Sequence, residues 1–341
     1  MTARELVIRT LNHQPVPRVP RDFWAPAGEG ACSLDELAEL NHRFPSDIVH
    51  IQVHPAGDRR GPAKAAAKAG ESADPWGCIW KRTADGKLVQ LGPPPLGDSA
   101  ASAAFEPPAG LLDATRFARV DKTCQGTHRF VLGWTETRPF DRLRFLRGSD
   151  PALVDLARDT KATRGLLAKL HEFSCREMEL WAKTEVDGVM FRDNWASAEG
   201  LLIAPEMWRE LFRPLYREYC GILRAHDKFV FFQSDGNIAD IFGELIKVGV
   251  DAIHSELALM DFERLAKRYR GRVTFWGEGD RQRLRDPGSV EEFRQSVLSI
   301  RKALDFGAGG VIAQCQWEPG VRLQTIATFF EQWLIPLPMH A

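Results

Sequence analysis

Eight short apolar runs punctuate the chain, each ending in polar or aromatic residues and followed by a helical stretch. They lie at residues 18–24 (RVPRDFW), 47–54 (DIVHIQVH), 129–136 (RFVLGWTE), 187–195 (DGVMFRDNW), 229–235 (FVFFQSD), 251–256 (DAIHSE), 273–280 (VTFWGEGD) and 310–317 (GVIAQCQW). Runs of this length suit strands buried on both faces, and their alternation with helices suits a parallel sheet. Eight such units predict an α/β fold, a closed (β/α)8 TIM barrel, as a single domain over residues 1–341. A barrel of this kind carries its chemistry at the C-terminal ends of its strands. The run ends are therefore the candidate site residues.

Residues 2–13 read as an amphipathic helix ahead of the first strand, capping the barrel floor. Ser33 opens a helix with Glu36 in a capping box and Leu34, Leu37 and Leu40 as its apolar face. Between the second and third strands the pattern breaks into an insertion at 55–110, whose Ala84-Asp85-Gly86 marks the turn of a β-hairpin. Loop length alone fits a lid over the mouth and an edge decoration or dimer contact equally well. Further helices are predicted over 139–184 with a break at 148–150, after Pro205 with a kink at Pro214, and over 237–249, 260–269, 289–306 and 322–334.

Composition narrows the partners. A formal net charge of -1 gives no electrostatic reason to expect nucleic acid or an anionic membrane. No apolar stretch approaches the roughly 20 residues of a membrane helix, and the N-terminus lacks a secretory core, so a cytoplasmic protein is expected. The six cysteines are scattered without a CxxC pair, which fits free thiols rather than a disulfide framework.

At the run ends stand Asp22, His54, Glu136, Arg192, Asp193, Gln233, Asp235, His254, Glu256, Glu278, Asp280, Cys315 and Gln316, with Trp24, Trp134, Trp195, Trp276 and Trp317. Carboxylates this numerous at one rim need a cation, a basic ligand or water, although Asp22, Asp235 and Asp280 are also placed to cap helices. Asp235, His254, Glu256 and Cys315 offer the O, N and S donors that zinc accepts; a lone strand Cys or His is also an ordinary core residue. Arg192 suits a ligand carboxylate through its planar fork, with an ion pair as the plainer role. Gly307, Gly309 and Gly310 are explained by tight turning more simply than by a phosphate cradle.

Several segments carry a family likeness: ARELVIRTLNHQPVPRVPRDFW, DPWGCIWKRTADGKLVQLGPPPL, DGVMFRDNWASAEGLLIAPEMWRELFRPLYRE, FFQSDGNIADIFGELIKVGVDAI, RVTFWGEGD and GAGGVIAQCQW. In that order they resemble the uroporphyrinogen decarboxylase superfamily, including its corrinoid-dependent methyltransferase branch. The resemblance implies a (β/α)8 barrel and one of two chemistries: cofactor-free decarboxylation of tetrapyrrole acetates, or zinc-dependent methyl transfer with corrinoid, thiol or folate partners. The family's decarboxylases carry an arginine motif of the form MRQAGR; the matching stretch here, from Asp22 to Gly30, has none of those arginines, and only Arg18 and Arg21 lie nearby. The zinc methyltransferases carry His-x-Cys-Gly after the fifth strand and Cys after the eighth. This chain has Gln233-Ser234-Asp235-Gly236 and Cys315, with Glu256 near the Glu that some relatives add after the sixth.

On this reading the chain is expected to move a methyl group from a small methylated substrate to a corrinoid or folate acceptor. A zinc or other divalent ion would sit at Asp235, His254, Glu256 and Cys315. Asp22, Arg192, Asp193 and Asp235 are the expected catalytic residues. Trp24, His54, Trp134, Trp195, Gln233, Trp276 and Trp317 are expected to line the substrate pocket. The alternatives are a decarboxylase of a tetrapyrrole or other carboxylated substrate, using an acid such as Asp22 or Asp193, and a non-catalytic tetrapyrrole- or corrinoid-binding barrel. A corrinoid protein and a second copy of the chain are the expected macromolecular partners.

Overall fold

The computed structural model describes residues 1–24, 33–53, 71–83, 88–98, 101–277, 280–285, 288, 290–305, 307–317 and 320–335. All eight predicted runs contain strands: β1 (Arg21–Trp24), β2 (Ile48–Gln52), β6 (Phe130–Trp134), β7 (Gly188–Arg192), β8 (Phe229–Gln233), β9 (Ala252–His254), β10 (Thr274–Gly277) and β11 (Val311–Gln316). They pair in parallel in the order β1-β11-β10-β9-β8-β7-β6-β2, with helices between them, giving the (β/α)8 barrel. Strands β3 (Glu71–Ala73), β4 (Ile79–Arg82) and β5 (Leu88–Leu91) form a separate antiparallel sheet. The predicted hairpin is the β4–β5 pair, and β3 is an addition that the sequence pattern did not show. The hairpin turn lies outside the described residues.

At the start of the seam between β1 and β2 stands one aspartate. Asp47 donates its backbone N–H to the carbonyl of Arg21 at 2.8 Å, and its carboxylate accepts the N–H of that same residue at 2.8 Å. Arg18 completes the arrangement with two contacts of 2.6 Å to the two carboxylate oxygens. The device recurs twice. Asp187 takes both the carbonyl and the N–H of Val131, at 3.0 and 2.7 Å, with Arg4 against it. Asp251 takes both groups of Val230, each at 2.8 Å, with Arg224 against it. Each carboxylate thus satisfies a strand-start N–H that the parallel ladder leaves over.

Strand alternation sorts side chains between two cores. Ile48, Phe130, Leu132, Met190, Phe231, Ala252, Trp276 and Ile312 fill the barrel interior, together with Val7 and Leu11 of the N-terminal helix Ala3–Leu11. That helix begins at a Thr2–Glu5 capping box and plugs the floor, as the pattern predicted. Gly309, at φ 74°, lies so close to it that a Cβ would meet the carbonyl of Thr10 at 3.0 Å. The glycine run therefore serves the floor, away from the mouth. The opposite strand faces pack under the outer helices with Val131, Val189, Phe191, Phe232, Ile253 and Ala313.

The three-stranded sheet docks on helix Pro139–Arg147, which follows β6. Asp74 meets buried Arg142 at 3.1 Å, the Arg142 guanidinium lies 4.2 Å from the Trp76 ring centre, and Trp80 packs edge-on to Phe145. The predicted break at Pro214 appears as two helices, Pro205–Leu211 and Arg213–Arg224. Ser33 and Glu36 form the expected capping box, but of the apolar face only Leu40 is buried, and Leu34 is 84% exposed. Among the described residues no helix is long and apolar enough to cross a membrane, and the five cysteines described are free thiols.

Asp47→Ala removes the carboxylate that joins Arg18 and Arg21 to β2. It is expected to cost about 3 kcal/mol of unfolding free energy, the range found for breaking a buried ion pair, while Leu34→Ala, on an exposed site, leaves stability within about 0.5 kcal/mol. Urea unfolding of the two variants beside the wild type checks this; equal midpoints would contradict the role given to Asp47.

Candidate active site

The interior ends of the strands form a floor of aromatic and polar groups centred on Asp22. This residue is fully buried, and three donors converge on it: Trp24 Nε1 and Trp276 Nε1 at 2.9 Å each on one oxygen, and His50 Nε2 at 2.6 Å on the other. The second nitrogen of His50 accepts the indole N–H of Trp134 at 2.6 Å. An indole N–H only donates, so Nδ1 of His50 is the acceptor and Nε2 carries the proton shared with Asp22. Four strands thereby fix one carboxylate and one imidazole.

His254 stacks on Trp24 with ring centres 4.8 Å apart, and its Nε2 meets Gln314 Oε1 at 2.9 Å. Its Nδ1 is buried without a partner. Burial, and next the charge of Arg281, push the imidazole down to about 4, so His254 stays neutral near pH 7.

Above this floor the rim divides by charge. On the side of β8, β9 and β11, Arg281 Nη1 lies 2.9 Å from Asp235 and 3.5 Å from Glu256, and Nη2 lies 3.5 Å from Gln316 Oε1. Gly236, at φ 79°, makes the turn that presents Asp235; a Cβ there would stand 2.5 Å from the carbonyl of Ala196. Gln233 reaches Asp235 at 3.1 Å.

On the side of β6 and β7 stand Arg138 and Arg192, both half-buried. Arg192 shares the interior parity of Met190, and Arg138 follows β6 directly. Among the described residues neither guanidinium forms an ion pair, and Nε of Arg138 is buried without a hydrogen-bond partner. The charge of Arg138, with burial second, pushes the Arg192 guanidinium down to about 10. Two like charges are held together here. Burial raises the Glu136 carboxyl, but Arg138, Arg142 and Arg192 outweigh it and hold the group below the usual carboxylate range.

Of the sequence-predicted residues, Asp22, Trp24, Trp134, Arg192, Gln233, Asp235, His254, Glu256 and Trp276 gather at this end of the barrel. Four others do not. Asp193 faces outward and buried, where it accepts the N–H groups of Phe140 and Asp141 at 2.9 and 2.6 Å and the Tyr216 hydroxyl at 2.8 Å. It anchors the start of helix Pro139–Arg147, and burial beside Asp141 pushes its carboxyl upward. Trp195 stacks on Phe140 with centres 4.1 Å apart in the outer core. Trp317 packs near Phe23 and donates to the Val321 carbonyl at 2.7 Å. Cys315 shares the outer parity of Ala313, whereas Ile312 and Gln314 face inward, so its thiol belongs to the helix-facing layer. His54 lies outside the described residues. His50, Arg138, Arg281 and Gln314 were missed. His50 and Gln314 were readable as inward positions by counting alternate residues from Ile48 and Ile312.

The proposed zinc ligands do not fit an ion. A guanidinium stands against Asp235 and Glu256, the His254 Nε2 is engaged by Gln314, and Cys315 faces the other core. Among the described residues the only His, Cys, Asp or Glu trio with donor atoms within 4.8 Å of one another is His171, Cys175 and Glu218, on outer helices.

A profile of the family described as uroporphyrinogen decarboxylase (URO-D) matches residues 139–333. Among solved structures, a methyltransferase from Methanosarcina mazei is similar along its length: TM-score 0.69, 16% identity, 98% of each chain covered. An endo-beta-1,4-xylanase from Gloeophyllum trabeum gives TM-score 0.45 at 10% identity, covering 96% of this chain and 99% of that one. No curated protein matches the sequence.

The loop carrying Glu136, Thr137 and Arg138 hangs on Glu177, which accepts the N–H of Glu136 and the hydroxyl of Thr137 at 2.8 Å each. Burial pushes the Glu177 carboxyl up to about 7 from 4.5. The folded state thus holds a proton that the unfolded chain releases, so stability falls as pH rises from about 4.5 to 7, by at most about 3 kcal/mol. Glu177→Gln keeps the bond from the Glu136 N–H on its carbonyl oxygen, reverses the other so that its amide N–H donates to Thr137 Oγ1, and removes the titration. Its stability between those pH values is expected to be flatter than the wild type's, as read by urea midpoints; parallel curves would refute the assignment.

Proposed function

This chain belongs to the uroporphyrinogen decarboxylase family, and we propose that it is an enzyme acting on a small carboxylate-bearing substrate by acid–base chemistry of the carboxy-lyase kind. The observation that carries this reading is the pair Arg138 and Arg192: adjacent, half-buried at the mouth, and without ion-pair partners among the described residues. Two planar guanidinium forks fit a carboxylate, whose negative charge would relieve their repulsion. The arginines absent from the first strand's loop are in this reading replaced from β6 and β7.

The floor of the pocket is acidic. Asp22 is bonded there by the indoles of Trp24 and Trp276 and by His50, which Trp134 holds in turn. A substrate held by its carboxylate over the arginines would place its remaining frame on the indoles, facing that charge. Loss of CO2 breaks one C–C bond and leaves its electron pair on carbon, where a proton from solvent water takes the place of the departing CO2. Asp22 would stabilise positive charge that builds on the substrate frame before the bond breaks, and His50 would orient Asp22. Methyl transfer, the activity class named for the Methanosarcina mazei barrel, is the second reading, with a corrinoid or folate as the acceptor in this chain. The indoles around Trp24 favour it as an apolar lining for a methylated compound.

The test is a melting screen over di- and tricarboxylic acids, porphyrinogens and methylated amines, followed by CO2-release assays on whatever binds. Carboxylates are expected to raise the wild-type Tm. Arg192→Ala and Arg138→Ala are each expected to weaken that binding about 10- to 100-fold, as for loss of a charged hydrogen bond. Asp22→Asn should keep binding and lose turnover. Binding confined to methylated amines, indifferent to both arginines, would favour methyl transfer and defeat the first reading.

A further inference from the structure

We propose that Arg281 is the resident cation of this barrel mouth, standing where donor chemistry alone would put a divalent metal, and that Asp235 and Glu256 bind no metal in the native protein because of it. The guanidinium does what an ion would do mechanically. Through Asp235, Glu256 and Gln316 it ties together the mouths of β8, β9 and β11, at 2.9, 3.5 and 3.5 Å. Unlike an ion it is part of the chain, cannot be chelated, and presents donors in a fixed plane rather than an open coordination position.

The carboxylates are placed without its help. The N–H of Asp235 donates to Asn194 Oδ1 at 3.1 Å, and the turn behind it is locked by the close approach of Gly236 to Ala196. Glu256 accepts the N–H of Gly236 at 3.2 Å. Deleting the guanidinium would therefore leave two positioned carboxylates facing the point that Nη1 vacates, 2.9 and 3.5 Å from it. That is a pair of oxygen donors of a kind that zinc accepts. With Arg281 in place, a divalent ion would have to displace the guanidinium from the same oxygens, and its affinity for them would be weakened further by like-charge repulsion at a few ångströms.

Zinc titration by calorimetry, with melting curves in zinc and in EDTA, tests this without reference to any turnover. The proteins carry His171→Ala so that the outer His171, Cys175 and Glu218 trio does not contribute. The Arg281-intact protein is expected to show no one-to-one zinc site sensitive to Glu256→Gln, and a Tm that EDTA leaves unchanged. Arg281→Ala, and Arg281→Gln as a bulkier neutral variant, should gain a single site at least about 100-fold tighter than any in the Arg281-intact protein. Zinc should raise their Tm by several degrees, and Glu256→Gln should abolish the gain. Arg281→Lys should behave as the wild type. One equivalent of zinc in the Arg281-intact protein, displaced by Asp235→Asn or Glu256→Gln, would overturn the proposal. So would folded Arg281→Ala or Arg281→Gln protein whose Tm ignores zinc. Failure of the carboxylate reading would leave these outcomes untouched, since none depends on substrate.

Discussion

Asp47 is where the sheet becomes a cylinder. Strands β1 and β2 end the pairing order, and at their starts they are joined at Asp47 through the backbone of Arg21 and the guanidinium of Arg18, with His50 and Asp22 meeting further along. A parallel ladder leaves strand-start N–H groups unsatisfied, and a buried N–H without a partner costs about 1–3 kcal/mol. The chain answers with a carboxylate at that point, and again at Asp187 and Asp251. These acids sit at the opposite end of the strands from the candidate site. Yet they set the register that decides which residue of each strand tops the interior column. A slip of one residue at the seam would exchange Asp22 for Phe23 and turn the pocket inside out.

The same parity explains what could be read from the sequence. All eight strands were legible, because short doubly buried runs bounded by polar residues have few other readings. The aspartates that open three of those runs were visible too, but nothing local says that an acid before a strand bonds its neighbour's backbone. Among site residues, Asp22, Trp24, Arg192, Gln233 and His254 were found because they close their runs on the inward phase. Asp193 and Cys315 close theirs on the outward phase. Each lies one residue from an inward neighbour, so a list of strand ends cannot separate them without the register. Trp195 and Trp317 lie past their strand ends, where alternation no longer applies, and only packing shows that they join the outer core.

Arg138 and Arg281 were harder to see. Both lie in βα connections, after β6 and β10, and a charge in a connection is ordinarily solvated surface. Their importance is a property of what the rest of the chain brings to them. Arg281 matters because two carboxylates from other strands converge on it. A donor set read as metal-binding in one dimension is, in three, already neutralised in part by a side chain from further along the chain.

Arg138 and Arg192 matter for the converse reason, and the surrounding ledger of charge shows why. Each nearby acid has a further partner besides these arginines. Glu136 faces Arg142, which also holds Asp74 of the inserted sheet. Asp141 takes Arg144 and the N–H of Asn194. Asp193 is filled by two backbone N–H groups and a tyrosine hydroxyl. Glu177 is occupied by the loop itself. The fold thus ties its acids into the loops and leaves the two guanidiniums side by side at the mouth, without an ion pair among the described residues. Like charges so placed destabilise the unliganded protein, and an anion that bridges them returns that free energy as affinity. Neutralising them from within would require releasing one of the acids that position β6, β7 and their connections, so the structure that builds the pocket also keeps it open to a carboxylate.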